Sequence, residues 1–140
     1  MIEQLVTLYL LIRRFEGCRL MPYYCPSGVL TCGWGSTGAD VFPGMPWTQE
    51  QADRRLELDA IRFARGTLAL CPRIAGDRLC AIADFAYNLG LGRLKGSTLR
   101  RKINVQDWAG AIAELRKWTN GGGRKLPGLV LRREAEAALL

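Results

Sequence analysis

Residues 19–35 break an otherwise helical chain. Pro22, Pro26, Ser27–Gly28, Gly33 and Gly35 punctuate two short β-prone runs, 22–25 and 29–31, which read as a hairpin or small sheet. On the N-terminal side, Leu5, Leu8, Tyr9, Leu11, Ile12 and Phe15 recur at helical spacing, with Arg13 and Arg14 on the outer face. Gly17 is a helix-stop signal, so Glu16 falls in the last helical turn. Residues 38–47 read as a loop carrying Gly38, Pro43, Gly44 and Pro46. Thr48 and Gln51 then form a capping-box pattern, T-x-x-Q, that opens a helix over about 49–69.

A second helix over about 76–89 is apolar on nearly every side, which marks it as central. Asn88–Leu89–Gly90 ends it. A short helix follows Ser97, and another is capped by Asp107, with Trp108, Ile112, Leu115 and Trp118 on one face. Residues 119–128, TNGGGRKLPG, read as a loop before a last helix, LRREAEAALL. The expected class is α+β, mostly α. The chain reads as a single domain over 1–140, with a small β lobe at about 18–47 and a helical lobe from 1–17 and 48–140. A cleft is expected between the lobes with Glu16 at its lip, where substrates bind.

Composition narrows the function. Apolar residues make up 49% and charged residues 24%, which is globular rather than disordered. Twenty Lys and Arg against thirteen Asp and Glu give a net charge of +7, with no His. That excess points to an anionic partner (nucleic acid, acidic glycan or membrane surface) or to a solvated basic face. No aromatic-basic strand motif or recognition-helix signature supports nucleic acid. The apolar run 5–12 is too short to span a bilayer, which needs about 20 residues, and it lacks the flanks of a signal peptide. Five cysteines, at 18, 25, 32, 71 and 80, have no zinc-like spacing and no His to complete one. No metal or cofactor is expected.

The spacing Glu16–x8–Cys25–x5–Thr31, followed by Gly33–Trp34–Gly35, resembles the phage-type lysozymes of glycoside hydrolase family 24. FAYNLG at 85–90, GSTLRRKIN at 96–104 and KLPGLVLRREAEAAL at 125–139 resemble that family's later landmarks, so the likeness spans nearly the whole chain. It implies a lysozyme-like fold and hydrolysis of the β-1,4 bond between N-acetylmuramic acid and N-acetylglucosamine in bacterial peptidoglycan. It implies Glu16 as general acid, Cys25 as the second catalytic group and Thr31 as a holder of the attacking water. It also places Asn88 and Arg132 on the substrate side. Asn88 would bond a sugar amide or serve as a plain helix cap, and Arg132 or Arg133 would reach back to orient Glu16.

Two positions depart from the pattern: Cys25 stands where a carboxylate is usual, and Ser36 where many relatives carry histidine. Cys25 serves the reaction best as a thiolate, with Arg19 as one basic residue able to favour it. A weakened module that binds peptidoglycan or a protein without cutting is the alternative. Two free thiols are expected at Cys18 and Cys25, with a reducible bridge as the alternative; the same choice applies to Cys71 and Cys80. Trp34 and Trp47 are candidates for stacking on sugars, while Trp108 and Trp118 belong to the core. The expected protein is a monomer held in the host cytoplasm. It would act on the wall after passing through a separate pore-forming partner.

Overall fold

The computed structural model describes residues 2–140. A 3-10 turn, Ile2–Leu5, leads into α1, Val6–Glu16. Gly17 adopts a positive φ of 67° and ends α1 directly after Glu16, a conformation that costs glycine little. The chain then forms β1, Arg19–Tyr24, β2, Leu30–Gly33, and β3, Ser36–Thr37. They pair antiparallel in the order β1-β2-β3, with Tyr23 opposite Thr31 and Cys32 opposite Ser36. A register irregularity between Arg19 and Tyr23 bends β1.

Helix α2, Gln49–Leu70, opens with the full capping box: Thr48 accepts from the Gln51 amide while Gln51 accepts from the Thr48 amide. Helix α3, Gly76–Leu89, is buried from Cys80 through Ala86 and forms the centre of the molecule. A short α4, Leu91–Lys95, follows, then α5, Thr98–Asn104, and α6, Trp108–Leu115, with side-chain caps from Ser97 and Asp107. The core has two parts. One gathers Ile82, Phe85, Leu94, Leu99, Ile103 and Leu115, with Trp108 and Trp118 packed at its edge. The other packs Leu5, Leu8 and Ile12 of the N-terminal segment against Leu56, Ala60 and Ala64 of α2 and Ala83 of α3.

The C-terminal region differs from the sequence reading. Residues 119–128 are not a plain loop: β4, Asn120–Gly121, pairs with β5, Arg124–Lys125, across a Gly122–Gly123 turn with positive φ at both glycines. That is the two-glycine solution to a tight hairpin. The last helix, α7, also starts earlier, at Pro127, and ends at Ala137. Proline at the first helical position loses no hydrogen bond that the helix would have made, so it opens α7 instead of delaying it. Helix α4 was not visible as periodicity because five residues span little more than one turn.

All five cysteines are free thiols, so neither the Cys18–Cys25 nor the Cys71–Cys80 bridge forms. Cys71 and Cys80 lie in separate parts of the core. Among the described residues, no helix is long and apolar enough to cross a membrane.

Phe85 has no exposed surface and meets Trp118 edge-on at 5.5 Å. Phe85→Ala should cost about 3–5 kcal/mol, the usual range for emptying a buried aromatic site. Urea denaturation would show it as a lower midpoint at unchanged slope. A cost under about 1 kcal/mol would mean that the core collapses around the void.

Candidate active site

Helix α1 ends at the mouth of a groove of about 640 Å³. Its walls include Glu16, Cys25, Thr31 and Asn88, with Tyr23, Ser27, Asp59, Phe63 and Tyr87. Four of the five residues singled out in the sequence therefore share one hollow. The fifth, Arg132, lies behind Glu16. Glu16 and Asn88 also line a second hollow of about 460 Å³, bounded by Phe15, Leu126, Pro127, Leu129 and Arg132. Open space thus lies on both sides of Glu16.

Glu16 is held from the protein side. Arg132 Nη1 donates to its Oε1 at 2.7 Å. The same guanidinium gives two parallel bonds to Asp84 of α3, Nε to Oδ2 at 2.9 Å and Nη2 to Oδ1 at 2.8 Å. Arg132 is 3% exposed and Asp84 is fully buried. Burial disfavours the charged guanidinium, but the bonds and charges of Asp84 and Glu16 outweigh it and drive the Arg132 pKa up. Asp84 takes two of the guanidinium's bonds and Glu16 one, and that one contact fixes the direction of the Glu16 carboxylate. On the other side, Gly35 comes so close that a Cβ there would sit 2.8 Å from Glu16 Oε2, and its φ is +91°. Only glycine lets the β2–β3 turn approach the acid this closely.

Cys25 sits at the start of the β1–β2 turn, where its carbonyl accepts from the Gly28 amide at 2.8 Å. Its Sγ lies 2.9 Å from Ser27 Oγ. The Ser27 hydroxyl, then the Val29 backbone, lower the thiol's pKa, and smaller contributions come from the Ser27 backbone and Thr31. The sequence pointed to Arg19 for this task. Arg19 instead lies over the Tyr23 ring at 4.4 Å, and it is not a cause of the shift. The other shifted thiols go the opposite way: burial pushes Cys71 up to about 11, and raises Cys32 and Cys80. Thr31 is 5% exposed, and its hydroxyl donates to the Val29 carbonyl at 2.9 Å.

Ser36 donates to Asp59 Oδ2 at 2.7 Å and is buried. Arg55 Nε donates to the other oxygen of Asp59 at 3.2 Å and also pairs with Asp40. Asp59 is thus a second carboxylate on the groove wall, with both oxygens occupied by hydrogen bonds. Tyr87 donates to the Trp34 carbonyl at 2.7 Å, and burial drives its pKa up. Trp34 and Trp47 are absent from the groove wall. Trp34 donates to Asp53 at 2.8 Å under the Arg13 guanidinium, and Trp47 packs on Gly33 and beside Arg55. The aromatic walls are Tyr23, Phe63 and Tyr87 instead, which no local motif marks. The two arginines also separate: Arg132 serves Glu16, and Arg133 donates to Asn88 Oδ1 at 2.9 Å. Among the described residues, no group of three or more Asp, Glu or Cys side chains is arranged to hold a metal ion.

The lowered thiol pKa has a direct readout. Cys25 should react with iodoacetamide at a lower pH than an ordinary thiol. Ser27→Ala removes the largest stabiliser of the thiolate and should move the inflection of the rate–pH curve upward. Peptide mapping of the labelled site checks it, and an unmoved inflection would relieve Ser27 of the role.

The phage lysozyme family matches residues 13–136. The SAR-endolysin of Bacteriophage PS119 is 42% identical over 125 residues, covering 86% of this chain and 73% of its own. The endolysin of Acyrthosiphon pisum secondary endosymbiont phage 1 is 40% identical over 137 residues, covering 92% and 91%. Among solved structures, the active form of the P1 phage endolysin Lyz superposes with a TM-score of 0.81 at 27% identity, over 96% of this chain and 82% of that one. The muramidase domain of SpmX from Asticaccaulis excentricus gives a TM-score of 0.86 at 26% identity, over 96% and 94%. A match across most of the chain, relatives near 40% identity and the α+β fold with its groove agree: the chain belongs to the phage lysozyme family.

Proposed function

We propose that this chain is an endolysin muramidase that hydrolyses the β-1,4 bond between N-acetylmuramic acid and N-acetylglucosamine in peptidoglycan, with Glu16, Cys25 and Thr31 as its reacting set. The observation that carries the assignment of roles is the meeting of these three side chains around one groove, with Glu16 tethered through one oxygen only. Its other oxygen, Oε2, is the one beside Gly35. In this reading a protonated Glu16 gives its proton to the glycosidic oxygen as the bond to the anomeric carbon breaks. The leaving sugar departs as an alcohol, and positive charge builds on the ring. The Cys25 thiolate faces that charge from the β lobe. Water held by Thr31 adds to the anomeric carbon, and its proton passes to the thiolate. Solvent then restores the proton to Glu16 and removes it from Cys25.

The groove's opening to both sides of Glu16 suits a polymer cut within its length. The net charge of +7 suits an anionic wall. The whole chain acts as one domain in this reading, folded before release in the host cytoplasm and delivered to the wall by a separate pore-forming protein.

Glu16→Gln tests the acid. The amide keeps the shape and the Arg132 contact but cannot donate the proton, so release of reducing ends from purified walls should fall by roughly 10²–10⁴-fold with the fold intact. Undiminished turnover by a folded Gln variant would remove Glu16 from the role. The Cys25 series tests the second group. Cys25→Asp should keep or raise turnover, since a carboxylate is ionised at any pH above about 4. Cys25→Ala removes charge and hydrogen-bonding atom together and should turn over less than either. If Cys25→Ala matches wild type on purified walls, the thiol is only filler.

A further inference from the structure

The positive charge of the chain is not spread evenly. Between Asp84 and Asp107 lie five cations and no acid: Arg93, Lys95, Arg100, Arg101 and Lys102. In the rest of the chain fifteen cations face thirteen acids. The groove takes no share of the excess. Its walls carry Glu16 and Asp59 against one cation, Arg62, which itself lies 3.4 Å from Asp59.

The excess collects instead at a hollow of about 590 Å³ on the helical lobe, whose walls include Lys95, Ser97, Arg100, Arg101 and Asn104. It shares no residue with either hollow beside Glu16. Arg100 is fixed there by main-chain carbonyls. Its Nε donates to Leu70, at the end of α2, at 2.9 Å, and its Nη1 to Lys95 at 3.2 Å. Asn104 donates to the same Leu70 carbonyl at 3.0 Å. Both acceptors of Arg100 are neutral, so its charge is not cancelled. Among the described residues, no acceptor takes its Nη2 hydrogens. Arg101 is steadied by Thr98, whose hydroxyl accepts from its Nη2 at 2.7 Å. Among the described residues, Lys102 pairs with Asp107 at 3.4 Å, while Arg93, Lys95, Arg100 and Arg101 pair with no carboxylate. Helix dipoles favour cations in the last turns of α4 and α5, but Arg100 stands in the first turn of α5, where the dipole opposes it. Gathering like charges at one hollow costs self-repulsion, which a bound anion relieves.

We infer that this hollow between α4 and α5 is a second binding site, separate from the groove, for the phosphate groups of a phosphorylated glycopolymer, with Arg100 as its fixed anchor and Lys95 and Arg101 beside it. Guanidinium donors match phosphate oxygens in geometry as well as charge. The hollow has no aromatic wall on which a nucleic-acid base could stack. Val105 is the one large apolar residue exposed between Asp84 and Asp107, so this face has no apolar stripe to enter a lipid layer. A chain of phosphates on sugars or polyols needs neither. The site holds the protein to an anionic envelope while the groove works on the glycan. That use rests on the muramidase reading, but the binding itself does not.

The test uses the full chain and poly(glycerol phosphate), a phosphodiester chain, with dissociation constants from titration calorimetry at low salt. Lys95→Glu with Arg101→Glu should weaken binding roughly tenfold to a hundredfold, because two charge-assisted contacts turn repulsive. Arg54→Glu with Arg124→Glu makes the same change in net charge at exposed positions outside the hollow and should weaken it far less. Lys95→Gln with Arg101→Gln, which adds no acid, should lose affinity in the same direction and serves if the reversed pair does not fold. Release of reducing ends from walls stripped of phosphate polymers should stay at the wild-type level in each pair. Equal weakening by the two reversed pairs, or no binding by the wild type, would overturn the inference. So would tighter binding to single-stranded DNA or to phosphatidylglycerol vesicles than to the glycerol polymer. Failure of the muramidase reading would look different: the wild type would release no reducing ends, and the affinities for poly(glycerol phosphate) would keep their order.

Discussion

The site depends on one buried guanidinium. Arg132 joins three elements that are far apart in the chain: α7, which carries it, α3 through Asp84, and the end of α1 through Glu16. Taking these charges out of water is costly, and attraction in the low-dielectric interior repays the cost only when the geometry is good. Here the geometry is two parallel bonds to Asp84 and one to Glu16, all between 2.7 and 2.9 Å. Deleting one partner of such a set leaves a buried charge alone, which costs about 3–5 kcal/mol. The folded state therefore carries the whole set together, and the direction of Glu16 follows from it. A carboxylate at a helix C-terminus opposes the helix dipole; Arg132 is what makes that position tenable.

The opposite wall is fixed by a second polar set. Helix α2 reaches into the β lobe through Asp59, which takes the Ser36 hydroxyl, and through Arg55, which bonds the Thr37 carbonyl and Asp40. Thr37 is the strand partner of Thr31. Tyr87 of α3 ties down the Trp34 carbonyl in the turn between β2 and β3. A three-stranded sheet with strands of six, four and two residues has little stability of its own. Its position relative to Glu16 is set by these bonds to the helices. A histidine at position 36 would bring its own charge to Asp59. Serine brings only a hydroxyl, and Arg55 supplies the cation from one helical turn away.

The parts legible in the sequence were those with local causes. Gly17 as a stop, Thr48 with Gln51 as a start, the apolar run of α3 and the turn residues of 22–35 each act over a few positions, and the structure has all of them. Glu16, Cys25, Thr31 and Asn88 were marked by spacing and motif, and they line one groove. What was not legible has non-local causes. Asp84 and Glu136 look like ordinary polar interruptions of helices; their burial makes sense only beside Arg132 and Arg133. Asp84 lies 48 residues from Arg132, and Glu16 lies 116 away. Asp59, Phe63 and Tyr87 face the groove because α2 and α3 pack where they do, and no spacing announces that. The early start of α7 was missed for a smaller reason: Leu126–Pro127 reads equally as the end of a loop or the first turn of a helix.

The cysteine changes what the β1–β2 turn must do. A carboxylate is ionised at neutral pH without help, whereas an ordinary thiol, with a pKa of about 8.5, is mostly neutral. In the proposed mechanism the surroundings of Cys25 supply what a carboxylate would have by itself. The structure places that help in the turn following the residue: the Ser27 hydroxyl first, then the Val29 backbone. The Pro26–Ser27–Gly28 sequence thus has two tasks. It closes the hairpin, and it turns a weak acid toward its anionic form. Arg19 is not among the causes of the shift, and it lies over the Tyr23 ring instead. In the proposed mechanism the thiol works together with the turn that follows it. The Ser27 hydroxyl, two places on, is the largest cause of the lowered thiol pKa.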